Sequence, residues 1–404
     1  MFGHVYYGWW IVIACFFINL YVGSVVFFSF TAFFEPIHQE FGWSYTQISL
    51  ASSLRGLEMG ILAPLVGVLV DRLGSRKLML AGSIIIGVGL LALSLTRSLA
   101  MFYAAFLLIA FGAGGCTSVV TMTVVANWFQ KNIGLALGIM ASGFGASGLL
   151  IPLIVSLIDD FGWRTALVIL AFGMWVIGTP LSLVVRDRSE SSMKEAGSYE
   201  RNEWLDQRVE VSFGEAVKSR TFVYLNLAEM IRMIAVTAVV VHLMPYLTAL
   251  GFQRSTGGMA AAALPLISIL GRFGFGWWGD RYDKRIVLAA TFLIMAGGLL
   301  AFSMLREWGM VVLFLLLFSP GFGGSMVVRG AILREYFGKA SFGKMIGIVL
   351  GSASIGGILG PTLAGYAFDR LGDYTLVWQV GAALSMAALM LSLRMRPPHF
   401  KHHG

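Results

Sequence analysis

The sequence predicts an all-α membrane protein: twelve transmembrane helices in two six-helix bundles related by a pseudo-two-fold repeat. Composition supplies the first reason. Hydrophobic residues fill 57% of the 404 positions and charged residues 12%, with a mean hydropathy of +0.80. A soluble domain carries about twice that share of charge. Repetition supplies the second. Gly67, Asp71 and Arg76 recur as Gly276, Asp280 and Arg285. Gly134, Gly138, Gly148, Pro152 and Asp160 recur as Gly343, Gly347, Gly357, Pro361 and Asp369, every pair 209 residues apart. One offset held at eight pairs marks a unit of roughly 200 residues used twice in the same direction.

Taken in order, the apolar runs are read as spans at 8–34, 45–70, 77–96, 99–127, 133–158 and 164–186. The second six are at 221–249, 256–279, 286–305, 309–334, 343–368 and 374–394. About 20 apolar residues cross about 30 Å of hydrocarbon, and the 49 glycines let helices approach closely. The long polar stretch 187–219 is read as a cytoplasmic linker between an N-terminal bundle, 1–186, and a C-terminal bundle, 220–404. The first run lacks a basic leader and a small-residue cleavage site, so it is read as a retained span and not a signal peptide. Cys15 and Cys116 both fall inside spans, which excludes a disulfide framework or a metal site.

Orientation follows from Lys and Arg. With the loop 71–77 inside, 20 of them fall in inner loops and termini and 5 in outer loops, while Arg55, Arg232, Arg272 and Arg329 lie within spans. Such an excess marks the cytoplasmic side. Both termini are therefore expected in the cytoplasm, with the protein in the plasma (inner) membrane. The net charge of +8 reflects this topology and not affinity for nucleic acid.

The loop Gly67-Val-Leu-Val-Asp71-Arg72-Leu-Gly74-Ser-Arg76-Lys77 is the most distinctive stretch. Gly67 lets two helices touch, and Gly74 permits a turn with positive φ. Asp71 can accept from the N-terminus of a neighbouring helix and from Arg76. With Arg72 and the second-copy residues Asp280, Arg281 and Arg285, they form the expected cytoplasmic gate, a clamp that breaks when the halves rock. A basic turn obeying the positive-inside rule accounts for the charges but not for the fixed spacing and its recurrence. The pattern G-x-x-x-D-R-x-G-x-R-[KR] resembles the signature of the major facilitator superfamily, and the resemblance covers the whole chain. It implies two six-helix bundles around a central site with alternating access. The second copy departs from it, with Asp283 where the turn glycine is expected.

Further stretches narrow the resemblance. They are Tyr7-Gly8-Trp9-Trp10, the run from Trp128-Phe129 through Lys131 and Gly134 to Gly138, Arg272-Phe-Gly-Phe-Gly276, and Glu335-Tyr336-Phe337-Gly338 with Ser341-Phe342-Gly343. Together they resemble the monocarboxylate transporter family and its prokaryotic relatives, including the oxalate/formate antiporters. That family carries a substrate-binding arginine in its eighth helix, at the position of Arg272. Its animal members place an aspartate one turn earlier, where this chain has Ser268, and the first span offers no lysine, so their proton scheme does not carry over.

Ionisable groups inside a span are costly and serve as functional hypotheses. Arg272 lies eight residues before Asp280, hence about 12 Å into the bilayer. There a guanidinium can bind a carboxylate with two parallel bonds; pairing with Glu229 is the structural alternative. Glu229 and Arg232 stand three apart and can neutralise one another, yet Glu229 is also the leading proton carrier. Arg55 and Glu58 repeat that spacing as a structural pair or outer gate. Arg329 is read either as a second anion contact or as an inner-gate residue. His242 can titrate near neutral pH, although a lone histidine is more often a packing residue. Asn19, Tyr21, Thr117, Thr121 and Asn226 are the uncharged candidates for the cavity, and the many phenylalanines suggest an apolar wall.

These readings combine into a secondary transporter moving a small monocarboxylate such as lactate or pyruvate together with a proton, as a functional monomer in the lipid bilayer. Exchange of organic anions is the rival within transport, although the eleventh span lacks the lysine an oxalate carrier would want. A transporter-like sensor is the rival of another class. No nucleotide-binding loop, metal cluster or nucleophile constellation is present, so an enzyme, an ATP-driven pump and a bound cofactor are not expected.

Overall fold

The computed structural model describes residues 6–57, 66, 69–70, 72–116, 118–129, 133–187, 213–337 and 342–396. Every regular element among them is a helix. The first span joins α1 (Tyr7–Val22) through a π-helical turn at Gly23–Phe28 to α2 (Phe30–Phe41). There follow α3 (Tyr45–Leu57), α4 (Ser75–Ser94), α5 (Leu99–Gly114) and α6 (Ser118–Trp128). Next are α7 (Ile133–Ala146), α8 (Ile151–Gly173) and α9 (Thr179–Val184). The chain reverses at Gly162, with φ 78°, so α8 belongs to two spans. After the short α10 (Phe213–Lys218), the second half consists of α11 (Arg220–Ala249), α12 (Arg254–Arg281), α13 (Lys284–Ser303), α14 (Trp308–Phe337), α15 (Phe342–Leu371) and α16 (Thr375–Arg394). Most of the polar linker lies outside the described residues.

Packing repeats with the sequence. In the first half α1 packs on α7, α4 on α5, and α4 on α8. In the second, α11 packs on α15, α13 on α14, and α13 on α16. These are the same pairings of first with fifth, third with fourth and third with sixth spans. The halves meet where α3 lies along α15 and where α12 lies along α7 and α8. The stretches Tyr7-Gly8-Trp9-Trp10 and Trp128-Phe129 come together at the end that carries the linker. There Tyr7 donates to the Val184 carbonyl (2.7 Å), Trp128 Nε1 to the Arg186 carbonyl (2.8 Å), and Trp9 meets Phe129 edge-on.

At the opposite, far end the two halves are sealed. The Asp369 carboxylate, at the end of α15, accepts from the backbone N–H groups of Tyr45 (2.9 Å) and Thr46 (2.8 Å) and from the Thr46 hydroxyl. It thus caps α3 across the domain boundary and answers the positive end of that helix dipole. At the pseudo-equivalent junction Arg254, opening α12, donates to Asp159 and to the Ala32 carbonyl. Thr31 Oγ1 accepts from Met244 N (2.9 Å), and Ser53 meets Thr362 (2.8 Å). Gly148 matters here: a Cβ on it would stand 2.1 Å from the Ala262 carbonyl oxygen, so only glycine lets α12 approach this closely.

The linker end differs from its expectation. Gly74 does adopt positive φ, at 83°. The N-terminus of α4, however, is capped by Asp187, which accepts from Ser75 N (2.7 Å) and Arg76 N (3.3 Å). Gly67 and Asp71, expected to let helices touch and to accept from a neighbouring helix N-terminus and Arg76, lie outside the described residues. In the second copy Asp283 sits at φ −56° and caps α13 through Arg285 N (2.9 Å), so this loop turns without a left-handed residue. Arg285 pairs with Asp283, holding that carboxyl below the usual carboxylate range, and donates to the Met395 carbonyl (2.8 Å). Arg281 lies over Trp277, and Arg72, Arg76 and Asp280 are exposed. Among the described residues, every hydrogen bond and ion pair named for these groups stays within its own half.

Removing the Asp369 cap should loosen the far end selectively. A lost helix cap costs about 0.5–2 kcal/mol, which is roughly a two- to thirty-fold shift in a two-state equilibrium. In an Asp369→Ala background, a reporter Ser53→Cys should react with a membrane-impermeant maleimide faster by that factor. Unchanged labelling would show that the cap does not hold the seal.

Candidate functional site

Between the halves lies a cavity of about 240 Å³. Its wall is mostly apolar: Phe27 and Phe28 from the π-helical turn of the first span, Met140 and Phe144 from α7, Val236 and Val240 from α11, and Phe322 and Met326 from α14. Asn19, Ser52, Thr237, Arg232 and Arg272 are the polar side chains among the lining residues. A concave, largely apolar surface with few polar groups is the usual form of a small-molecule site.

Arg272 reaches the cavity from α12, one turn beyond the fully buried Ser268. Its Nη1 donates to the Ala141 carbonyl on α7 at 3.1 Å, a contact between the halves. Its Nε and Nη2 are buried without a partner among the described residues. A guanidinium with N–H groups that no described residue accepts, in low dielectric, attracts an anion strongly.

Glu229 does not pair with Arg272. It is 3% exposed and sits between two other arginines. Arg232 Nε donates to its Oε2 at 2.8 Å, and Arg232 Nη2 and Arg329 Nη1 both donate to its Oε1. The i, i+3 pair read from the sequence is thus part of a triad tying α11 to α14. Arg329 is 7% exposed and does not line the cavity. Arg329, read from the sequence as a second anion contact or an inner-gate residue, thus stands off the wall of this cavity. It lies behind Glu229, and Arg232 holds the cavity position. Among the described residues, with every group ionised, three arginines stand against one carboxylate.

Other candidates fall elsewhere. Asn19 lines the cavity, its Nδ2 donating to the Met140 carbonyl (3.3 Å). Tyr21 turns away, and its hydroxyl donates to the Leu170 carbonyl (2.8 Å). Asn226 donates to the Phe222 carbonyl and accepts from Ser352 (2.7 Å), one helical turn from Glu229 and off the cavity wall. Thr121 is fully buried and is not among the lining residues. Thr117, Glu58 and the side chain of Arg55 lie outside the described residues. His242 belongs to the far-end seal. The Pro361 carbonyl can only accept, so Nε2 carries the hydrogen (3.0 Å) and Nδ1 takes the hydroxyl of Tyr374 (2.7 Å), with Ser49 of the other half beside Nε2. Among the described residues no group of His, Cys, Asp or Glu is placed to hold a metal ion. The aromatic and methionine wall had no sequence signal beyond its composition, and Arg232 was masked by a nearby carboxylate that accounted for its charge.

Two packed helical repeats enclosing a central, buried and positively charged cavity define a multi-pass membrane transporter, not an enzyme. The chain belongs to the Major Facilitator Superfamily, whose family model matches residues 9–252 and 225–403. Among its relatives, monocarboxylate transporter 12 of Rattus norvegicus is 25% identical over 95% of this chain and 85% of its own length. Monocarboxylate transporter 2 of Homo sapiens is 24% identical over 94% and 84%. Among solved structures, a bacterial homolog of the human lysosomal transporter Spinster superposes with a TM-score of 0.75 at 16% identity, covering 98% of this chain and 99% of that one.

Removing one partner of a buried ion pair leaves uncompensated charge and costs about 3–5 kcal/mol. Glu229→Gln should therefore lower the unfolding temperature of the detergent-solubilised protein markedly. The double variant Glu229→Gln/Arg329→Gln should recover part of the loss. Equal melting of Glu229→Gln and wild type would remove the triad from the stabilising contacts.

Proposed function

We propose that the protein carries a small monocarboxylate of the lactate or pyruvate type across the plasma (inner) membrane by alternating access, with a proton, as a monomer. The observation that carries this reading is the Arg272 guanidinium, lining a cavity between the halves with two N–H groups unpartnered. The names of the relatives support the substrate class. The count of Lys and Arg supports a cytoplasmic linker end. On that orientation the sealed far end faces outward, and the cavity belongs to a state that exchanges with the cytoplasm.

The triad offers a route for the proton. When a carboxylate arrives at the arginines and Glu229 takes up a proton, one negative charge replaces another and the net charge of the cluster is unchanged. Protonated Glu229 loosens its hold on Arg232, and the substrate takes over as the counter-ion of that cavity-lining guanidinium. Loading the two together avoids the cost of a bare charge in low dielectric.

Labelled L-lactate in proteoliposomes tests this. An inward proton gradient should drive accumulation that collapses with a protonophore. Arg272→Ala should abolish it, and Arg272→Lys, which keeps the charge but loses the planar fork, should weaken it roughly ten- to hundred-fold. Glu229→Gln should retain counterflow but lose gradient-driven accumulation. Efflux stimulated only by an external carboxylate would establish exchange instead, and silence in both formats with folded protein would favour a sensor.

A further inference from the structure

We propose that Arg232 is a second substrate-binding residue, so that the preferred substrate carries a hydrogen-bond acceptor at the end of an apolar body whose other end is the carboxylate held by Arg272. The inference rests on the reading that Arg272 takes a carboxylate.

Arg232 is 4% exposed and lines the same cavity as Arg272. Two of its three nitrogens are used: Nε and Nη2 bond Glu229, and Nη2 also meets the Met233 sulfur at 3.3 Å. Its Nη1 is buried and has no acceptor among the described residues. Leaving such a donor unmade is costly, and more so for a charged group. The plane is not free to seek a partner elsewhere, because Glu229 grips one edge and the ring of Phe322 lies 5.9 Å from its central carbon. The donor is therefore fixed on the cavity wall. The two guanidiniums come from neighbouring spans, α11 and α12, and line one cavity. The same wall carries Phe27, Phe28, Phe144, Val236 and Phe322, with Asn19, Ser52 and Thr237 as its other polar side chains, and its apolar part suits methylene or aryl groups. An anion that carries a second acceptor oxygen besides the carboxylate on Arg272 can satisfy Arg232 Nη1 as well.

That second oxygen can belong to a hydroxyl or to a second carboxylate, and the test separates them. Ligand-induced thermal stabilisation of the purified, full-length protein is measured with butyrate, hexanoate and octanoate, each against its ω-hydroxy and ω-carboxy counterpart. A hydrogen bond to a charged donor is worth about 1.5–3 kcal/mol, so at the best chain length one counterpart should bind roughly ten- to hundred-fold more tightly than the plain acid. Preference for the dicarboxylate alone assigns a dianion; equal gain from the hydroxy acid assigns a neutral acceptor. In Arg232→Met the plain acid and its counterpart should converge in affinity, while Arg232→Lys should retain part of the gap. Glu229 keeps Arg329 as partner in these variants, so the fold has its remaining ion pair. Plain acids binding as well as every counterpart in the wild type would overturn the proposal, whatever becomes of the variants. The reading of Arg272 fails separately, by undiminished hexanoate binding in Arg272→Ala.

Discussion

A guanidinium between membrane helices has to be matched by an anion, and this requirement organises the centre of the molecule. Desolvating an ion costs several kcal/mol that only a well-made partner returns. Glu229 answers two arginines at once, drawing α11 and α14 together through contacts to Arg232 and Arg329. It cannot answer a third. Among the described residues Arg272 has a single backbone carbonyl as acceptor, and its charge faces a cavity instead of being buried in packing. That is why the proposed substrate is an anion.

The scaffold is two-fold but its chemistry is one-sided. Helix pairings repeat between the halves, and the far-end seal uses a carboxylate at the end of one half facing the start of a helix in the other, at both junctions. The charges do not follow this symmetry. By the offset of 209, Arg272 and Arg329 correspond to Ala63 and Val120. The second half supplies the cations, and the first supplies Phe27, Phe28, Met140 and Phe144 as the facing wall. A repeat constrains what must recur for two bundles to rock, namely close helix crossings and caps. It leaves cavity-facing positions free to diverge, because one copy of the charge suffices.

Much of the fold was legible because periodic apolar runs and a constant offset are long-range, redundant signals. The site was legible only in part. Arg272 and Glu229 stood out because charge in a span is rare, but partners depend on which helix faces which. Sequence proximity suggested that Glu229 and Arg232 neutralise each other; it gave no sign that Arg329, 100 residues away, shares the same carboxylate. Asp369 was visible as a repeated residue but had no evident role, since its acceptors' partners at Tyr45 and Thr46 lie 324 and 323 residues away. Asn19 and Tyr21 differ by two positions and face in different directions, which a helix of near-uniform hydrophobicity does not betray.

The cavity and the seal are physically continuous through α15. Pro361 lines the cavity and has no N–H, so the Gly357 carbonyl one turn earlier, also on the wall, loses its usual helical donor. The Pro361 carbonyl in turn accepts from His242, which contacts Ser49 on α3 of the other half. On the same helix, Thr362 meets Ser53 and Asp369 caps α3. A substrate pressing on the wall at Gly357 and Pro361 therefore acts on the helix that holds the far end shut. A proline is suited to this place, since the missing hydrogen bond lets the two parts of the helix bend against each other at lower cost than an unbroken one would. Occupancy of the cavity and closure of the far end are then two loads on one flexible element, which is the physical requirement for one to influence the other.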